Sequence, residues 1–407
     1  MSVPGNAPDT AQTTTILAAG LNSFGQLPTA NTTTTTRDDG SPFHHDNLYT
    51  FTPLSLPPSP EPCLPIFSSW STTAFASRHA LLLRTAGHPD MAPISLIDGL
   101  PRSPFGDHDG LVGFLNPAGE LTVLESEAHT SPDPSARRPP ALTPLANPDG
   151  FSPKLAHVAL AGNARVALTF RQAPNGNLCH CLEFAALPAF RDWYRDPSGG
   201  AEGAQPLAHH MQQGRPRQLL ATAAGFLMLM EDGGVHSWGD GRYASLGRKI
   251  AGEGAVPAET PGVIPALEGL RISKIATGTG TGWMAAALDA GNKAAYVWGR
   301  VARGGAEKEI SFLAGLEVGG VYCVEIVDGE GGEAMDVLDI GVGNGFVVVL
   351  VESGVGKRQV FGAGDNSRGQ LGLGRDVEFA ETWTRVPGIG GDVKEVVCGS
   401  HATFLIS

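Results

Sequence analysis

A repeat cut in two by the chain termini constrains this protein more than any other feature. The motif reads apolar strand, small residues, second apolar strand, glycine turn, third strand. It is clearest in 218–247 (QLLATAAGFLMLMEDGGVHSWGDGRYASLG), 272–299 (ISKIATGTGTGWMAAALDAGNKAAYVWG) and 337–372 (VLDIGVGNGFVVVLVESGVGKRQVFGAGDNSRGQLG). A last copy starts at Lys394 (KEVVCGSHATFLIS) and stops at Ser407, without its third strand or its Gly-Gln-Leu turn. Residues 15–27 (TILAAGLNSFGQL) supply the missing part and align with 360–371 (VFGAGDNSRGQL). Such a split predicts a closed ring in which the N-terminal strand completes the C-terminal blade. Closure removes the two open ends that a linear array would have to cap.

Weaker copies lie at 66–87, 105–125 and 156–184. Thr72, Asp109, Ala164, Gly225, Thr281, Asn344 and Ala402 are equivalent points along the seven copies. The expected fold is an all-β, seven-bladed β-propeller, with six blades as the alternative because the first interval is short. Composition agrees. Gly 54 and Pro 31 in 407 residues, with 17% charged, disfavour a helical bundle. Phe346-Val347-Val348-Val349-Leu350-Val351 is continuously apolar, as expected for a strand covered on both faces by neighbouring blades.

The chain is read as one domain, 1–407, with flexible insertions at about 28–65, 126–153 and 188–215. These hold the threonine run Thr32–Thr36, much of the proline and the pair His209-His210. The net charge is −13 and the first basic residue is Arg37, which argues against a nucleic-acid-backbone binder. Cys63, Cys179, Cys181, Cys323 and Cys398 lack framework spacing, so reduced thiols in an intracellular protein are expected. No signal peptide is visible, and the longest apolar run, Leu219–Met230, is too short for a bilayer. The expected address is cytoplasmic, with the nucleus open.

Candidate chemistry is sparse. In Cys179-His180-Cys181, strand alternation sets His180 opposite the two thiols, and no second Cys pair completes a zinc site. Gly278–Gly282 and Gly341–Gly345 lack the third glycine of a dinucleotide fingerprint and suit crowded inner strands. Asp365–Gln370 resembles half a calcium loop without its closing glutamate, and reads as a turn. No G-x-S-x-G elbow occurs. No catalytic residue, metal or cofactor is assigned.

Surface recognition fits better. Starts of inner strands gather at the channel mouth, which marks Trp70, Asp107, His108 and Ser400 as partner-binding candidates, together with the loop aromatics Trp193 and Tyr194. The stretch Glu317–Asp339 holds seven acids and no basic residue, and reads as a solvated acidic loop.

Gly364–Gly372 (GDNSRGQLG), Ser237-Trp238-Gly239, Val297-Trp298-Gly299 and Cys398-Gly399-Ser400-His401 resemble the regulator-of-chromosome-condensation repeat. The resemblance spans the chain, is specific over the last 190 residues or so, and implies a seven-bladed propeller. Ala402–Ser407 and Ser69-Trp70-Ser71-Thr72-Thr73 are further similar to the fungal α-tubulin-suppressor/killer-toxin-insensitivity proteins. That likeness implies a non-enzymatic scaffold that binds a small zinc/iron electron-carrier protein as a heterodimer. It further implies a role in diphthamide synthesis and Elongator-dependent modification of wobble uridine in tRNA, without direct nucleic-acid or membrane binding. The founding member of the broader family implies the alternative, guanine-nucleotide exchange on a Ran-like small GTPase.

Overall fold

The computed structural model describes residues 14–30, 46–59, 61–85, 93–96, 99–125, 141–145, 153–171, 178–197, 204–301, 308–327 and 332–407. These form seven four-stranded antiparallel sheets, the blades of a seven-bladed propeller. The closing blade, blade 7, receives β1 (Ile16–Gly20) and β2 (Leu48–Pro53) from the start of the chain. Blade 1 is β3 (Leu64–Ser68), β4 (Thr72–Ala76), β5 (Ala80–Thr85) and β6 (Ile94–Ser95). Blade 2 is β7 (Arg102–Gly106), β8 (Leu111–Leu115), β9 (Leu121–Glu125) and β10 (Ala141–Pro144). Blade 3 is β11 (Leu155–Leu160), β12 (Val166–Phe170), β13 (Leu178–Phe184) and β14 (Ala208–Gln213). Blade 4 is β15 (Pro216–Ala221), β16 (Gly225–Met230), β17 (Val235–Gly239) and β18 (Gly262–Val263). Blade 5 is β19 (Lys274–Thr277), β20 (Ala285–Asp289), β21 (Ala294–Trp298) and β22 (Tyr322–Cys323). Blade 6 is β23 (Asp336–Val342), β24 (Phe346–Glu352), β25 (Arg358–Asp365) and β26 (Phe379–Arg385). β27 (Glu395–Cys398) and β28 (Ala402–Ile406) then complete blade 7, in the order β27-β28-β1-β2 from the axis outward.

Closure follows the split repeat. Ile16 to Gly20 pair residue by residue with Ile406 to Ala402. The two copies of the glycine-glutamine-leucine turn make the same bonds. Asn22 Oδ1 accepts from the Leu27 N–H at 2.7 Å, and Asn366 Oδ1 accepts from the Leu371 N–H at 2.9 Å. Gln26 and Gln370 each accept from the N–H two residues earlier, at 3.0 and 2.8 Å. The buried amides thus replace backbone partners that the tight turn cannot offer.

The core is distributed, one apolar cluster between each adjacent pair of blades. β24 shows why its sequence is unbroken valine and leucine. Val347, Val349 and Val351 face blade 5, while Phe346, Val348 and Leu350 face blade 7. β16 divides likewise, with Phe226, Met228 and Met230 against blade 3 and Leu227 and Leu229 against blade 5. A strand buried on both faces needs no polar alternation. The glycine that closes the third strand has a different cause. Gly239 (φ 116°) and Gly20 (φ 128°) are left-handed, and a Cβ there would lie 2.5 Å from the Gly225 Cα and 2.3 Å from the His401 carbonyl oxygen.

The segments expected as insertions are not wholly loops. Each contributes the outer strand of a blade: β2 in 28–65, β10 in 126–153 and β14 in 188–215. Such strands touch the blade on one edge, so they carry little apolar signal; β14, AHHMQQ, alternates between half-buried and exposed. The third segment also holds helix α1 (Leu187–Arg195). The run Thr32–Thr36 lies outside the described residues. Within the acidic stretch 317–339, Asp336 and Asp339 pair with Lys293 and Lys274.

Candidate docking face

Every inner strand starts at the lower face of the ring and ends at the upper face, so the loops after β3, β7, β19, β23 and β27 meet around the axis on top; Trp70, Asp107, His108 and Ser400 thus follow the ends of inner strands, not their starts. Gly278–Gly282, after β19, crosses that opening. The Thr279 and Thr281 hydroxyls lie 2.9 and 3.0 Å from Ser400 Oγ in blade 7. The Gly280 N–H donates to the Ala221 carbonyl at 3.1 Å, and the Ala223 N–H donates to the Gly282 carbonyl at 2.8 Å. A Cβ on Gly280 would sit 2.6 Å from the Leu160 carbonyl oxygen, and one on Gly278 would sit 2.8 Å from that of Gly343. The glycines are there because backbones from blades 3, 4 and 6 pack directly on them. Thr279 is held at φ 49°, an unusual state for a β-branched residue, fixed by its bond to Ser400.

Beneath this plug the axis holds a cavity of about 310 Å³, lined mostly by apolar inner-strand residues, with Lys274, Glu395 and Cys398 among them. Asp339 locks the lower rim. Its carboxylate accepts from Lys274 Nζ at 2.7 Å and from the Val396 N–H at 2.8 Å, tying blades 5, 6 and 7. Burial pushes the Glu395 carboxyl up from its usual range, and pushes the Cys398 thiol up to about 12. A thiol so held is protonated and a poor nucleophile or ligand. Among the described residues, no group of three or more His, Cys, Asp or Glu is placed to hold a metal.

Two half-buried tryptophans stand on the upper rim. Trp70, half-buried after β3, has the Arg368 guanidinium 4.6 Å above its ring centroid. His108 packs at 5.4 Å and His401 at 5.3 Å, edge-on. Gln26 Nε2 donates to the Trp70 carbonyl at 3.0 Å, so the closing blade's turn holds this loop. On the far side of the plug, Trp283 packs on Tyr243 at 4.9 Å, with Arg242 5.3 Å from its ring. Tyr243 is 44% exposed and Arg242 is anchored by Asp240. Trp70, His401, Ser400, the two threonines and Trp283 therefore form one band across the upper face. A half-buried tryptophan fixed by an arginine and two histidines is suited to anchor a protein partner.

The sequence-derived candidates divide. Trp70 and His108 are brought together. Asp107 stands beside them, but its carboxylate accepts from the N–H groups of Asp109 and Gly110 and shapes the turn. Ser400 lies on the axis but is fully buried, holding the plug rather than meeting a partner. Trp193 and Tyr194 are not surface anchors. They sit on the buried side of α1, in a cluster with Phe184 and Phe190, and Tyr194 Oη accepts from the Leu121 N–H at 3.1 Å. Pro188 at the helix start and Phe190, Trp193 and Tyr194 at helical spacing were the available signals for that correction. Arg368, His401, Trp283, Tyr243 and Arg242 escaped sequence reading, because their meeting depends on blades distant in sequence. Cys179 and Cys181 are buried while His180 faces out, 2.9 Å from His209.

Comparison with known proteins agrees with this architecture. Residues 359–406 match the Regulator of chromosome condensation (RCC1) repeat. The match runs from the third strand of blade 6 into the first two strands of the closing blade, offset from the blade boundaries. The mouse (Mus musculus) RCC1 domain-containing protein 1 is 40% identical over 96 residues, 23% of this chain and 22% of that protein's length. Prp20p of Saccharomyces cerevisiae, described with its binding to Gsp1p and histones, aligns over 98% of this chain and 92% of its own at TM-score 0.55 and 11% identity. The same yeast protein bound to Kap60 aligns over 100% and 96% at TM-score 0.57 and 11% identity. These similarities establish an RCC1-like propeller fold with one matched repeat.

Proposed function

We propose that this RCC1-like propeller is a non-enzymatic scaffold whose upper face docks a small protein partner. The observation that carries this is the Trp70–Arg368 stack beside His108 and His401, the pre-formed aromatic anchor of the upper rim. Its rotamers are already held by packing, so little side-chain entropy is lost on binding. The partner we assign is the one implied by the likeness in Ser69–Thr73 and Ala402–Ser407. It is a small zinc/iron-binding electron carrier that serves diphthamide synthesis and Elongator-dependent tRNA modification in the cytoplasm. Affinity capture of the tagged chain from its native cell should recover that carrier, and calorimetry with the purified pair should give a one-to-one complex. Trp70→Ala should weaken it by at least about tenfold, the hot-spot range. Recovery of no such carrier, or an unchanged affinity in the variant, would sink the assignment.

The fold shared with Prp20p supports a second reading, exchange of guanine nucleotide on a Ran-like GTPase. It predicts faster release of labelled GDP from the GTPase at micromolar propeller; a flat trace would remove it.

A further inference from the structure

We propose that the lower face carries a binding pocket for a compact anion bearing several phosphate groups, formed by Arg102, Arg171, Arg215 and Arg217. The four come from three blades. Arg102 opens β7, Arg171 follows β12, and Arg215 and Arg217 flank the first residue of β15. Inner strands begin and second strands end on the lower face, so all four residues line one cavity of about 650 Å³. Phe170 and Leu178 give it an apolar wall.

The charge balance is what points to a ligand. The chain has 41 acidic and 28 basic residues, and several arginines elsewhere are neutralised by carboxylates, as Arg165 is by Glu183, Arg242 by Asp240 and Arg358 by Glu352, while Arg248 is held by carbonyl oxygens and Arg368 by an aromatic ring. Around this cavity Glu231 is the one acid among the described lining residues. None of the four guanidiniums has an ion pair within the described residues. Clustered like charges repel unless an anion joins them, and the guanidinium fork suits phosphate oxygens. The backbone that carries them is fixed: His157 bridges Thr169 Oγ1 and the Arg217 carbonyl oxygen, each at 3.0 Å.

Shape and field select a compact ligand. The four arginines border one concavity instead of forming a stripe. A long polyanion would also meet the field of a chain with net charge −13. Dense charge on a few atoms gains the arginine contacts without that penalty.

Calorimetry on the full chain with tripolyphosphate, inorganic phosphate and a short DNA duplex tests this. Tripolyphosphate should bind at a single saturable site, more tightly than inorganic phosphate, with affinity falling as salt rises. Arg171→Gln with Arg215→Gln should weaken it by at least about tenfold, the loss of a charged hydrogen bond or more. Both side chains are exposed, so the unfolding midpoint should not move; Arg271→Gln, an exposed arginine outside the pocket, should leave binding intact. Absence of saturable tripolyphosphate binding, or undiminished binding in the double variant, overturns the proposal. Preferential binding of the duplex overturns it too, in favour of an extended nucleic-acid surface.

Discussion

Ser407 donates to the carbonyl oxygen of Thr15 through both its backbone N–H, at 3.1 Å, and its Oγ, at 3.2 Å, although the two residues are 392 apart in sequence. That double bond is the end of the zip between β28 and β1. The ring is therefore held by contacts of nearly the highest sequence separation that a chain of 407 residues allows. Variants in this seam test how much of the molecule depends on it.

Phe404 in β28 is fully buried and meets Phe75 of blade 1 edge-on at 5.9 Å. Phe404→Ala should cost about 3–5 kcal/mol, the range for emptying a packed aromatic site. Urea unfolding followed by tryptophan fluorescence reads this as a lower midpoint. A loss no larger than that of an exposed substitution such as Val355→Ala would show that closure is not a stability determinant.

The plug makes a steric demand. Gly280 has φ 77°, and an added Cβ would fall 2.6 Å from the Leu160 carbonyl oxygen. Gly280→Ala should destabilise the protein by about 1–3 kcal/mol, the scale of local backbone strain. Hydrogen exchange should quicken at Thr279, Thr281 and Ser400 while distant blades stay protected. Unchanged exchange there would contradict the close packing of the plug.

Glu183 is buried between blades 3 and 4, paired with Arg165 at 2.5 Å and accepting from the Trp238 indole N–H at 3.2 Å. Arg165→Ala leaves that carboxylate without its main counter-charge and should cost about 3–5 kcal/mol. Adding Glu183→Gln should recover part of the loss, since an amide can keep the indole bond without a net charge. No recovery in the double variant would mean that Arg165 acts through packing alone.

Burial, the largest cause, drives the pKa of His157 down to about 4, below its usual 6.5. The folded state therefore binds this proton more weakly than the unfolded chain does. Its contribution is complete above about pH 6.5 and is lost as the pH falls toward 4, by up to about 3 kcal/mol. His157→Gln should flatten that part of the stability-against-pH curve. An identical slope in wild type and variant would show that other groups govern acid sensitivity.

Much of the ring was legible because it rests on local chemistry repeated along the chain. Unbroken apolar runs such as Phe346–Val351, the third-strand glycines and the matching Asn–Gln–Leu turns each report their own environment. Outer strands were not legible in the same way. β14 is mostly polar, β10 is only four residues long, and each is defined by the neighbour it pairs with, so they looked like loops. α1 carried a local signal in Pro188 and its aromatic spacing, but the burial of those aromatics is decided by the wall of blade 3, not by their own segment.

The division has a physical basis. The repeat and its split determined the all-β ring and the strand that closes it, because burial period and turn chemistry act within a few residues. Only the tertiary structure decided which loop fills the axis, that Trp70 meets Arg368, and that four arginines from three blades share one pocket. These depend on where separate blades place side chains in space, and residues that converge only there leave no common pattern in the sequence.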